Sequence, residues 1–236
     1  AFFFPLYSIL YSNGCLFQPE RIHMKKFLMG ETRLGYFLKT VVNLVILNLL
    51  FVLCCLPVIT AGASFTALYH SVSAITRGEE QMTKTFFKSF KNNIKQSTIL
   101  WIGALLLGFL LYWGVYIISF WETNRSLFLM LMALPCFLYV MILSYAFPLL
   151  ADFETTLPRL LSNSILLGIA HFPRSILIVA INLLPVVFLY VMPSWIVCAV
   201  FIWLPVGFSL CAFVNCLLLK PVFAPYRPEE EETEDQ

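Results

Sequence analysis

Chemistry inside a membrane protein needs paired acids, a set of metal-binding histidines, or a nucleophile beside its base. The polar residues of this chain concentrate in one stretch, as Thr60, Ser64, Thr66, Tyr69, His70, Ser71 and Ser73. They lie in a run, Thr40 to Thr76, that holds no Asp, Glu, Lys or Arg over 37 positions. His70 is the one imidazole within such a run, while His23 and His171 fall outside. A proton or ion relay built on buried carboxylates is therefore not expected. No HExxH, GxSxG, Walker or GxGxxG pattern occurs. Of the seven cysteines, Cys54, Cys55, Cys136, Cys198, Cys211 and Cys216 sit in apolar runs and Cys15 precedes them, with no CxxC or Cys/His spacing. These residues read as small apolar packing groups. The expectation is a protein without enzymatic activity, cofactor or metal.

The spacing of the same residues points to helix contact instead. Ala63, Ala67 and Ser71 recur every fourth position, as do Gly62, Thr66, His70 and Ala74, giving two adjoining small or polar stripes. Small residues let helices approach closely in lipid, and Ser, Thr and His can bond across the gap. Thr60, Gly62, Ala63, Thr66, Ala67, His70 and Ser71 are thus expected to form a packing face, turned either inward, to a hydrated cavity, or to a partner helix. Leu56-Pro57 should end the preceding helix, Gly62 frees the turn, and Thr60 is placed to cap the next helix with its hydroxyl. Asn43, Asn48, Asn182 and Asn215 also lie in apolar runs and are expected to be satisfied by neighbouring helices.

The elements that must position these residues can be read from composition. With 60% hydrophobic and 12% charged residues, the chain is a polytopic membrane protein. Further charge-free runs cover Gln96 to Trp121, Ser126 to Ala151 and Ser175 to Leu219. At about 20 residues per crossing, the expected fold is all-α, a transmembrane bundle with six spans near 36–57, 62–76, 97–120, 126–150, 175–192 and 195–219. Lys and Arg set the orientation, because cytoplasmic flanks collect positive charge. If 62–76 crosses, every Lys and Arg except Arg125 falls on one side, so both termini are expected to be cytoplasmic. The chain divides into an apolar and basic segment 1–35, the span domain 36–220 and an acidic tail 221–236. Residues 1–23 read as an interfacial segment or an upstream extension before Met24.

Between spans two and three, Met82, Phe86, Phe87, Phe90 and Ile94 alternate with Lys84, Lys88, Lys91 and Lys95 at helical period. This predicts an amphipathic helix in the membrane interface, binding lipid or docking a partner through Lys84, Phe86, Phe87, Lys88, Phe90, Lys91 and Lys95. A second connector, Phe153 to Pro173, carries Pro158 where a first helical turn would suit it. The borders at Ile94 to Ile102 and Phe172 to Ala180 share a basic-to-Ser-to-apolar passage, which would fit a duplicated span, connector, span unit.

Asn48-Leu49-Leu50-Phe51, Cys55-Leu56-Pro57-Val58-Ile59-Thr60, Gly62-Ala63, Thr66-Ala67-Leu68-Tyr69 and Phe87-Lys88-Ser89-Phe90-Lys91-Asn92-Asn93 together resemble the YesL-like family of bacterial membrane proteins, mostly from Firmicutes. The resemblance runs from Met24 to Tyr226. It implies a multi-pass protein of the bacterial cytoplasmic membrane with a role near carbohydrate uptake, since such proteins are commonly encoded beside carbohydrate ABC importers. It supplies no catalytic residues. The expected function is a non-enzymatic accessory subunit of a carbohydrate ABC importer, with membrane lipids and a permease as partners and no nucleic acid. The alternative is a small stand-alone transporter or channel lined by Thr66, His70 and Asn182. Importer permeases receive their ATPase on a loop that starts Glu-Ala-Ala. Here Glu154-Thr155-Thr156 lacks the alanines, so direct ATPase contact is not expected.

Overall fold

A computed structural model of the chain describes residues 33–79, 81–120, 124–191 and 203–226, and every element among them is helical. The chain forms two compact units, Ala1–Leu38 and Lys39–Gln236. Among the described residues, the first contributes positions 33–38 of the opening helix, and the second holds the bundle. In order the helices are α1 (Arg33–Cys55), a 3-10 turn (Val58–Thr60), α2 (Ala61–Arg77), α3 (Met82–Ser119) and α4 (Arg125–Asp152). They are followed by α5 (Leu157–Ala170), α6 (Phe172–Val191), a π-helical turn (Trp203–Gly207), α7 (Phe208–Phe223) and a closing 3-10 turn (Ala224–Tyr226). The segment 1–23, the start of the expected sixth span and the acidic run from Glu229 lie outside the described residues.

Five segments are long and apolar enough to cross a membrane: Gly35–Cys55, Val58–Arg77, Met82–Ser119, Arg125–Asp152 and Pro205–Tyr226. A sixth arises if α5 and α6 count as one broken span, for they meet at an angle of 109°. The expected fifth span is thus one arm of a bent pair. Ser175 holds the bend: its hydroxyl lies 2.7 Å from the Gly168 carbonyl, and the Arg174 and Ser175 amides bond to the His171 carbonyl. Carbonyls freed where one helix ends are satisfied by the next, as a lipid environment demands. Pro158 stands in the first turn of α5, where its missing N–H costs nothing.

The Met82–Gln96 stretch departs from expectation. It is no separate interfacial helix but the first part of α3, continuous with the following span over 38 residues. At 1.5 Å per residue α3 is about 57 Å long, roughly 27 Å more than a hydrocarbon core of about 30 Å. The reason for continuity is that nothing in Lys95-Gln96-Ser97 breaks a helix, and the stretch has a packing partner. Helix α2 folds back along it, turned by Gly78, whose φ of 83° is left-handed and whose N–H bonds to the Ala74 and Ile75 carbonyls. Phe86 is fully buried and Phe90 half-buried in this contact, their rings stacked at 6.4 Å, whereas Phe87 is exposed. The single apolar face read from spacing is therefore split. The border at Ile94 lies in mid-helix and that at Phe172 beside a sharp bend, so a shared span, connector, span architecture does not appear.

Packing of α2 against α3 is close because position 62 is glycine. A Cβ there would lie 2.5 Å from the Ser97 carbonyl oxygen and 2.5 Å from the Trp101 Cβ. Ala63, Thr66, Ala67 and Ser71 are fully buried by the chain itself. Thr60 does not cap α2. Its hydroxyl instead lies 2.8 Å from both the Cys54 and Pro57 carbonyls, because Thr60 is itself in helical conformation and the 3-10 turn feeds directly into α2. Trp101 Nε1 donates to the Val58 carbonyl at 2.9 Å and ties this turn to α3. Asn48 of α1 spans the π turn, donating to the Trp203 carbonyl at 3.1 Å and accepting from the Ser209 amide at 2.9 Å.

Gly62→Ala is expected to destabilise the protein by about 1–3 kcal/mol, the range for overpacking against groups that cannot yield. Gly103→Ala, on the same bundle with nothing within 4 Å of the added carbon, is expected to leave stability unchanged or slightly raised. Thermal melts of the two variants in one detergent check this; equal losses would refute the account of α2 packing.

Candidate functional site

The ionisable side chains that the sequence scatters over four segments come together at one end of α2. Arg77 ends the helix, and its Nε donates to Glu79 Oε1 at 3.1 Å while Nη1 donates to Ser73 Oγ at 3.1 Å. Ser73 Oγ in turn donates to Asp152 Oδ2 at 3.0 Å, and Arg77 Nη1 stands 3.8 Å from Asp152 Oδ1. Asp152 is the last residue of α4, and its side chain is only 8% exposed. A carboxylate that nearly buried needs a hydroxyl and a guanidinium close by, since an isolated buried charge costs far more than it returns. His70 stands on α2, three residues before Ser73. Its Nδ1 donates to the Ala151 carbonyl at 2.8 Å, which fixes the proton on that nitrogen, and lies 3.9 Å from Asp152 Oδ1.

Of these groups His70, Glu79 and Asp152 line one wall of a cleft of about 880 Å³, and Ser73 and Arg77 hold Asp152 from outside the lining. The facing wall comes from the first half of α3, with Lys88, Asn92 and Gln96, and the floor from the α4–α5 connector, with Glu154, Thr155 and Arg159. Gln96 Nε2 donates to the Thr155 carbonyl and joins wall to floor. Lys88, Glu154 and Arg159 are exposed and make no ion pair among the described residues. The cleft thus presents charges of both signs, carboxamides and hydroxyls.

Ser73 donates to Asp152 and His70 Nδ1 to the Ala151 carbonyl, so these two side chains do not pair as nucleophile and base. Among the described residues no three of His, Cys, Asp and Glu gather as metal ligands. The geometry suits hydrogen bonding and ion pairing to a polar visitor.

The residues singled out from sequence separate here. His70 and Lys88 line the cleft. Lys84, Lys91 and Lys95 are exposed on α3 outside its lining, whereas Phe86 lies in the buried core and Phe90 packs against it. Gly62, Ala63, Thr66, Ala67 and Ser71 are spent on packing within the chain, so this face is not free for a partner helix. Thr66, His70 and Asn182, read together as a pore lining, do not meet. Thr66 bonds Ser97 at 2.9 Å in the α2–α3 contact, His70 faces the polar cleft, and Asn182 donates to Ser144 at 2.8 Å elsewhere in the bundle. Asp152 and Arg77 were missed as site residues because each stands one position beyond a charge-free run and reads as a flank. The signal was there in the Lys and Arg distribution, which puts the two flanks on the same side.

Fold and cleft together define a multi-pass, all-helical membrane protein with a mixed-charge polar cleft at one end of α2. Residues 44–115 match the model of a family described as protein of unknown function, DUF624. The match extends from within α1 to near the end of α3, so it holds His70, Arg77 and Lys88 but stops short of Asp152 and the cleft floor. No curated protein and no solved structure matches the chain.

Asp152→Ala is expected to cost about 1–3 kcal/mol by stranding Ser73 and Arg77, whereas Glu154→Ala, two residues on and exposed, should change stability by no more than about 0.5 kcal/mol. Melting temperatures of the purified variants decide it, and a neutral Asp152→Ala would count against the cluster as the anchor of the cleft.

Proposed function

We propose that this chain is a non-enzymatic accessory subunit in a bacterial cytoplasmic membrane, docked on a carbohydrate ABC importer through the polar cleft. The observation that carries the docking part is the set of Lys88, Glu154 and Arg159, charges of both signs on the wall and floor of the cleft with no ion pair among the described residues. Mixed, unpaired charge at an open cleft selects a complementary mixed-charge segment and orients it, while like-charged alternatives are repelled. The importer as partner is supported by the YesL-like resemblance, and the cytoplasmic side by the Lys and Arg distribution, which leaves Arg125 alone on the far side. The length of α3 fits this placement, because its lysine-bearing half exceeds what a bilayer core accommodates.

A small stand-alone transporter is the second reading, favoured by the polar pair Asn182 and Ser144 within the bundle. Against it stands the separation of Thr66, His70 and Asn182. Solute flux by the purified protein in vesicles, abolished by His70→Ala, would establish that reading in place of the first.

Affinity purification from native membranes tests the docking proposal. The wild-type chain should retain an importer permease at stoichiometric level, and the double variant Lys88→Glu, Arg159→Glu should lose it while remaining inserted and monodisperse. Recovery of neither permease nor substrate-binding protein with the wild type would overturn the proposal.

A further inference from the structure

A second cavity, of about 240 Å³, lies in the bundle away from the polar cleft. The rings of Phe65, Trp101, Phe147 and Phe208 line it, with Val140 and Leu143, and no charged side chain is among its described lining. Its polar groups are few and joined. Asn182 Nδ2 donates to Ser144 Oγ at 2.8 Å, and Asn215 Nδ2 donates to Asn182 Oδ1 at 2.7 Å and to the Tyr69 hydroxyl at 3.2 Å. Tyr69, Ser144 and Asn182 line the cavity, and Asn215 stands directly behind them.

This string has bonding capacity left over. Asn215 is fully buried behind the lining, and among the described residues its Oδ1 accepts no hydrogen bond. Asn182 has used one of its two N–H groups, and the Tyr69 hydroxyl, an acceptor for Asn215, has its own proton unspent among the described residues. Native interiors rarely leave such groups unmatched, and unspent donors on an apolar cavity wall ask for an acceptor. The backbone around the cavity is also irregular. Pro185, inside α6 at the cavity wall, leaves one helical carbonyl without its N–H, and Trp203 of the π turn lines the same cavity. π-helical turns are frequent at functional sites.

We infer that this cavity binds a neutral amphiphile, an alkyl chain ending in a hydroxyl, with the chain among the aromatic rings and the hydroxyl oxygen accepting from Tyr69 and Asn182. The unspent Asn182 N–H and Tyr69 O–H are both donors on the cavity wall, so the ligand must bring an oxygen acceptor, which a hydroxyl supplies. A charged headgroup is excluded by the lack of any counter-charge in the lining. Size sets the chain: an apolar cavity of about 150 Å³ holds benzene, so 240 Å³ takes roughly ten non-hydrogen atoms. 1-Octanol falls within that limit. The inference is independent of the docking proposal.

Photolabelling of the full chain in nanodiscs with a diazirine derivative of 1-octanol tests it. Adducts should form saturably on Val140, Leu143 or Phe147 of α4 and on Cys211 of α7. Competition by 1-octanol should be at least fivefold more effective than by octane, and Asn182→Leu should erase that difference. Ala212→Phe, which fills the cavity, should abolish these adducts while leaving those on the lipid-facing residues of α3. Leu143→Trp is the second filling variant, should Ala212→Phe not fold. Labelling confined to lipid-facing α3 positions, labelling that does not saturate, or equal competition by octane would each overturn the inference.

Discussion

Ser97 and Trp101 of α3 stand so near the backbone at Gly62 that one added carbon would come within 2.5 Å of both. In lipid the hydrophobic effect does little to bring helices together, so contact of this kind, with the hydrogen bonds it permits, must supply the association. The approach brings Thr66 to Ser97 and Val58 to the Trp101 indole, which hangs the α1–α2 turn on α3. It also lets Phe65 meet Phe51, Trp101 and Phe147, whose rings join α1, α3 and α4 around α2. A helix so rich in Ser and Thr would be a poor neighbour for acyl chains. Enclosed by α3, α4 and α7, it becomes the axis of the bundle.

The same contact produces the polar cleft. Because α2 runs back along the lysine-bearing half of α3, its last turns arrive beside the end of α4, and Ser73 and Arg77 meet Asp152. The nearly buried carboxylate draws α2 and α4 together, and α3 supplies the opposite wall. Phe86 and Phe90 turn inward to hold that wall, leaving Lys88 available to the cleft.

Much of the fold was legible in the sequence because lipid imposes a simple rule. A backbone in hydrocarbon must satisfy its own hydrogen bonds, so long charge-free runs become helices. The break at Leu56-Pro57, the start of α5 at Pro158 and the burial of Ala63, Ala67 and Ser71 come from proline geometry and small-residue spacing. What periodicity could not show was where a helix ends when no breaker intervenes. Nothing local separates Lys95 from Ser97, so an amphipathic stretch and a span merged into α3. Thr60 looked like a cap because its type is right, yet the 3-10 turn before α2 put its backbone in helical geometry and sent its hydroxyl to Cys54 and Pro57.

By itself, then, the sequence determined that this chain is helical, that it is multi-pass, and which stripe of α2 must be in close contact with something. These depend on composition and on spacing within one helix. Tertiary structure decided what fills that contact and where the polar chemistry collects. Ser97 is 31 positions from Thr66, and Asp152 is 79 from Ser73. Pairings at such separations are set by how helices cross, which one-dimensional periodicity does not encode. That is why the small-residue face turned out to be internal, and why the charged cleft was assembled from residues that had each looked like the edge of a span.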